Sequence, residues 1–126
     1  MLDKTSLVNV LFIGDIVGKP GRNAISRLIG GLREEYSVDL CIGNAENAAG
    51  GFGLTPQVAD DLLGLGIDVL TSGNHIFDKK EIIDRIACDN RILRPANYPS
   101  QTPGNGSILI NTAKGDSIGV LNLMGR

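Results

Sequence analysis

Three times between Leu7 and Ile86, a short apolar run rich in branched side chains gives way to a segment of helical periodicity. Leu7–Ile13 (LVNVLFI) reads as a strand buried on both faces and ends at Gly14-Asp15. Pro20 suits the first turn of a helix, and Ala24, Ile25, Leu28, Ile29, Leu32 and Tyr36 recur on one helical face. Asp39–Gly43 is a second buried strand, followed by the Asn- and Gly-rich loop NAENAAGGFGL. Thr55-Pro56 looks like an N-cap with a first-turn proline; Val58, Ala59, Leu62, Leu63 and Leu65 form the next face, and Gly66 stops it. Ile67–Thr71 is a third strand, after which Asp78 and Glu81 have the spacing of a capping box for a helix through Ile82, Ile83 and Ile86. This order predicts right-handed βαβ units, an α/β fold whose mostly parallel sheet is covered by helices.

The remainder reads differently. Arg91–Arg94 is a short strand stopped by Pro95, and PANYPSQTPGNG is loop because of its prolines. Ser107–Asn111 and Ser117–Met124 are strands joined by AKGD, a hairpin pattern. The sequence closes on the apolar LNLMGR, which predicts a further element to cover the sheet and hence a longer parent protein; Arg126 also suits tryptic cleavage.

Composition narrows the function classes. At 126 residues and 42% hydrophobic, the chain can build one core and is not disordered. A net charge of −2 provides no extended nucleic-acid surface. No apolar run reaches the ~18 residues of a membrane span, and MLDKTSLVNV lacks a signal-peptide pattern. Cys41 and Cys88 are isolated, without CxxC spacing, and Cys41 sits in an apolar run as a core residue. These features fit a cytoplasmic protein.

Chemistry collects at the strand ends. Ligands of open parallel sheets bind at the carboxyl ends of the strands. Those ends read Gly14-Asp15, Gly43-Asn44-Ala45-Glu46-Asn47 and Gly73-Asn74-His75, the last containing the sole histidine. Carboxylate, amide and imidazole donors together suit a divalent metal of the manganese or iron type, and the glycines let a ligand approach. Each residue also has a plainer role. Asp15 fits a turn or cap, Asn47 and Asn74 fit turns at positive φ, Glu46 fits a solvated loop, and His75 fits a hydrogen-bonded loop. Asp78 fits a helix cap better than a partner that orients His75. Phosphate-loop patterns are absent. Gly14–Pro20 has one residue too few between its glycines, with Pro20 where a hydroxyl belongs, and Gly50-Gly51-Phe52-Gly53 is out of phase with the next helix.

FIGDIVGKPGR, GNAENAAGGFGLTP, TSGNHIFDKKEI, LRPANYP and TPGNG, in this order, resemble the YmdB-like family of calcineurin-like metallophosphoesterases from about Val10 to Arg126. The resemblance implies a metallophosphoesterase sandwich, here its N-terminal βαβαβα half, with two divalent metal ions, iron or manganese. It implies hydrolysis of phosphodiesters such as 2′,3′- or 3′,5′-cyclic nucleotides, and a homo-oligomer. Carried over by motif, Asp15 binds the first metal, Glu46 bridges both, Asn47 binds or supports the first, Asn74 binds the second, and His75 protonates the leaving alkoxide. The usual D-x-H start is here Asp15-Ile16-Val17, and Glu46 takes the place of a bridging aspartate. Family chains are about twice as long, and their second half supplies three further histidine ligands. The expectation is therefore a C-terminal half that is absent, with weak metal binding and little activity from these residues alone. A non-catalytic α/β module that binds a nucleotide or protein is the alternative. A Rossmann-type dinucleotide binder is disfavoured by its missing fingerprint.

Overall fold

A computed structural model describes residues 7–125. The first six residues of the segment read for a signal peptide, and Arg126, lie outside the described residues.

Strands β1 (Val10–Ile13), β2 (Leu40–Asn44) and β3 (Val69–Thr71) form a parallel sheet in the order β1-β2-β3. Val10 stands opposite Leu40 and Ile42 opposite Val69. Helices α1 (Gly18–Glu35), α2 (Pro56–Gly64) and α3 (Ile82–Cys88) follow the three strands in turn. Thr55 caps α2, its hydroxyl accepting from the Val58 N–H at 3.3 Å, with Pro56 in the first turn as the sequence predicts. Leu93 donates to the Leu70 carbonyl and Leu70 to the Arg91 carbonyl, both at 2.8 Å, so residues 91–93 extend the sheet past β3. Strands β4 (Ser107–Asn111) and β5 (Ser117–Leu121) form the expected hairpin, an antiparallel sheet of their own.

Alternation along each strand sorts the side chains into two cores. Cys41 and Leu70 face Ile25 and Ile29 of α1, Val58 and Leu62 of α2, and Ile82 and Ile86 of α3. Leu40, Val69 and Leu93 face the other way, against Val120 and the inner face of the hairpin, Ile108, Ile110 and Ile118. The layers are thus helices, parallel sheet, hairpin. Helices cover one face only, and the hairpin takes the place of a second helical layer. Cys41 is buried in the helical core, where desolvation raises the pKa of its thiol.

Two sequence expectations need correction. β1 is not buried on both faces. Leu11 and Ile13 pack into the helical core, while Val10 is 50% and Phe12 60% exposed. β1 is the edge of its sheet, and the hairpin covers the residues of β2, β3 and 91–93 but not these two. The third helix does not open at Asp78. Residues 74–81 form turns, α3 starts at Ile82, and Glu81 precedes it without a side-chain cap.

The far end of α3 carries an ionic cluster. The Asp89 carboxylate accepts from Arg85 Nε and Nη2 at 3.1 and 2.9 Å, and from Arg91 Nε and Nη2 at 3.0 and 2.8 Å. Chiefly through the Arg91 side chain, its pKa falls from 3.8 to about 2. A carboxyl lowered on folding adds stability above its unfolded pKa and loses it as pH falls through the folded one. The window here runs from about pH 4 down to about pH 2, for about 2 kcal/mol. Asp89→Asn should therefore cost about 2 kcal/mol at neutral pH and almost nothing near pH 2. Urea unfolding at both pH values checks this, and an equal loss at each would contradict it.

Candidate functional site

The carboxyl ends of the three parallel strands are tied to one another by backbone hydrogen bonds. Ile16 donates to Asn44 O and Gly18 to Asn47 O, each at 3.0 Å, which joins the loops after β1 and β2. Ala45 donates to Thr71 O at 2.9 Å, which joins the loop after β2 to the end of β3. The predicted residues therefore ride on a fixed edge rather than on independent loops.

At the first junction the Asn47 side-chain amide donates to both oxygens of Asp15, at 3.0 and 3.1 Å. Asp15 caps no helix, since α1 is preceded by Val17 without a side-chain cap. Neither Asn47 nor Asn74 has positive φ; among non-glycine described residues only Ser37 does.

At the second junction the Glu46 carboxylate lies directly on the backbone of Gly73. A Cβ placed on Gly73 would stand 2.6 Å from Glu46 Oε1 and 2.8 Å from Oε2. The His75 N–H donates to Glu46 Oε2 at 3.2 Å. Asn44 adds two long contacts, its amide to Glu46 Oε1 at 3.5 Å and its oxygen to the Glu46 N–H at 3.4 Å. Glycine at 73 is thus explained by the protein's own carboxylate, which occupies the space a side chain would take.

His75 follows at once. Its Nδ1 lies 2.6 Å from Asp78 Oδ2, and the Asp78 N–H donates to the His75 carbonyl at 3.1 Å. Asp78 orients the imidazole, against the expectation of a helix cap. The turn after β3 brings residues three apart together before any helix begins. With Nδ1 engaged, Nε2 is the ring atom left to exchange a proton with a bound molecule.

Glu46 and Asn74 open onto a cleft of about 700 Å³. Its polar end is formed by Asn44, Glu46, Ser72, Asn74 and Asn122, and its apolar flank by Val10 and Phe12 of β1, Leu40 and Ile42 of β2, and β5. Asn122 is buried; its amide donates to the Ser72 carbonyl at 2.8 Å and pins the end of the hairpin strand to the end of β3. Sequence reasoning missed Asn122, and placed Asn44 at the strand end without giving it a role. The available signal for Asn122 was a lone amide between two leucines in an apolar run.

Asp15 and Asn47 form one pair, and Glu46, Asn74 and His75 a neighbouring group, linked through the adjacency of Glu46 and Asn47. Among the described residues, no three His, Cys, Asp or Glu side chains come close enough together to hold a metal ion. The donor set is therefore suitable in kind, with carboxylate and amide oxygens for a hard divalent ion, but incomplete in number. No helix among the described residues is long and apolar enough to cross a membrane.

Comparison with known proteins accords with this geometry. The chain is 44% identical over 119 residues to the 2′,3′-cyclic-nucleotide 2′-phosphodiesterase of Bacillus subtilis (strain 168), covering 94% of this chain and 45% of that protein. Among solved structures, a hypothetical protein from Thermus thermophilus superimposes with a TM-score of 0.85 at 38% identity, over 93% of this chain and 45% of that one. A phosphatase from Mycoplasma pneumoniae gives 0.85 at 32% identity, over 94% and 43%. The chain thus spans less than half the length of these relatives. The family model for YmdB-like protein matches residues 11–126, and with the strand-end motifs now seen on one edge of the sheet, the chain belongs to the YmdB-like family.

Proposed function

We propose that this chain is the N-terminal part of a two-metal phosphodiesterase acting on cyclic nucleotides, of which 2′,3′-cyclic nucleotides are named for the Bacillus subtilis relative and 3′,5′-cyclic nucleotides are a further candidate. The observation that carries the reading is the single edge on which Glu46 sits against Gly73 while His75, bonded to Glu46 through its N–H, is oriented by Asp78. Asp15, Glu46, Asn47 and Asn74 would hold the ions, iron or manganese, together with ligands from outside these residues. When bound, two such ions supply a nucleophilic hydroxide and charge stabilisation on the phosphoryl oxygens.

This chain's own residues do the rest. Asp78 fixes the ring of His75, and Nε2 delivers the proton to the ribose oxygen that leaves phosphorus. Asn47 holds Asp15 by both oxygens. The His75 N–H holds Glu46 in the space that Gly73 leaves open.

The apolar flank of the cleft supports the same reading. Val10 and Phe12 on the uncovered face of β1, with Leu121 and Leu123 at 61% and 62% exposure, line the trough beside β5. We place the remaining length of the relatives on this face, where it covers the apolar side chains and brings further metal ligands to the polar end. Assembly into a homo-oligomer and a cytoplasmic location belong to the same proposal.

Manganese titration of the chain, followed by paramagnetic broadening of its NMR signals, tests the site. Broadening should begin at Asp15, Glu46, Asn47 and Asn74 and require millimolar metal, and turnover of a cyclic nucleotide should be slight. Turnover at the rate of the full-length relative would refute the partial-site reading. A non-catalytic module that binds a nucleotide or protein is the alternative reading. Silence at the strand ends in millimolar manganese selects that one.

A further inference from the structure

The loop of residues 48–54 presents an aromatic ring that neither core uses. Phe52 is 51% exposed, and Lys79 Nζ lies 4.0 Å from the centre of its ring, a cation–π contact. The loop is held on three sides. The Ala49 N–H donates to Gly53 O at 3.0 Å, and Arg22 Nη1 to Ala48 O at 2.5 Å. Gly53 packs so closely that a Cβ there would lie 3.0 Å from Lys79 Cγ and 3.4 Å from Asp78 Cβ. Gly50, Gly51 and Gly53 have φ of 72°, 97° and 74°, a path that glycine alone follows without strain. A large apolar ring is thus fixed in solvent beside Lys79, the residue after the carboxylate that orients His75.

Proton transfer from His75 decides what could lie there. If His75 protonates the departing ribose oxygen, the nucleoside stands on the His75 side of the phosphate. Phe52 is carried on the loop that leads off from Glu46 and Asn47 and packs at Gly53 against Lys79 and Asp78, the carboxylate that orients His75.

We propose that Phe52, braced by Lys79, is the platform on which the nucleobase of the substrate stacks. The inference rests on the phosphodiesterase reading and deepens it. Every base has a π face, so such a platform favours nucleotides over base-free diesters without choosing strongly among bases.

The test is NMR titration of the full chain with adenosine 2′,3′-cyclic phosphate and, separately, with glycerol 1,2-cyclic phosphate, which has no base. The adenosine ligand should give ring-current shifts at the Phe52 ring protons, and the glycerol ligand none. Phe52→Ala, at an exposed position, should weaken the adenosine ligand about tenfold and leave the other unchanged; Phe52→Trp should restore the adenosine affinity. Adenosine binding with the Phe52 ring silent, or equal weakening of both ligands by Phe52→Ala, would overturn the platform. Stacking at Phe52 without any shift at Asp15, Glu46 or His75 would leave the platform standing and refute the phosphodiesterase reading. Absence of binding by the adenosine ligand would overturn the platform.

Discussion

Gly73→Ala is expected to disable the strand-end site while leaving the protein folded. The new methyl group would lie 2.6 and 2.8 Å from the two oxygens of Glu46, closer than non-bonded carbon and oxygen approach. The atoms it meets are the far end of a flexible side chain, so the carboxylate moves and the backbone stays. Gly73 has no positive φ, so alanine there adds no backbone strain. Once displaced, Glu46 loses the His75 N–H and with it the position it holds at the strand end. Perturbing the groups that position a ligand typically costs 10- to 100-fold in metal affinity or activity, and a loss of about that size is expected. Thermal unfolding should move by only a few degrees. Loss of the fold along with the site, or manganese broadening at Glu46 unchanged from the parent, would contradict this account.

Gly106 shows the contrast. A Cβ there would stand 2.3 Å from Ala96 Cα and 2.7 Å from its nitrogen, where backbone rather than a side-chain tip must yield. Its carbonyl accepts from Asn122, and the Asn122 carbonyl accepts from Ala96. The two glycines look alike in sequence. One makes room for the Glu46 carboxylate and the other for a chain crossing, and only the partners tell them apart.

How much could be read in advance follows from the same distinction. The strand–helix order, the Thr55-Pro56 start of α2 and the hairpin rest on local periodicity and turn chemistry, and all three stand in the structure. The strand ends were legible because parallel topology alone sends Asp15, Glu46 and His75 to one edge. The exposed face of β1 was not. Val10 and Phe12 look like core in an apolar run, and their exposure depends on where the hairpin sits. Asp78 was misread for a local reason: Asp-x-x-Glu suits a cap, but a turn at 75–78 spends the carboxylate on His75 before the helix starts. Asn122 acts through a partner 50 positions away, Ser72, which no local pattern reports.

If these residues form a working part of a phosphodiesterase, as proposed, the largest expected effect is a gain of activity. The chain aligns with 45% of the Bacillus subtilis 2′,3′-cyclic-nucleotide 2′-phosphodiesterase at 44% identity. Substituting it for the aligned segment of that enzyme joins the Asp15, Glu46, Asn47, Asn74 and His75 edge to the rest of a full-length relative. The apolar trough beside β5 gives the joined part a surface to cover. The chain by itself is expected to turn over little, and the chimera should hydrolyse a 2′,3′-cyclic nucleotide within about tenfold of the parent. His75→Ala in the chimera should then remove about 100-fold or more of that rate, the scale of a lost general acid. The decisive measurement is the manganese-dependent rate of 2′,3′-cyclic nucleotide hydrolysis by the folded chimera, with and without His75. Restored turnover that depends on His75 is the predicted result. A chimera that folds as the parent does and yet is inactive, or whose activity survives His75→Ala, would contradict it.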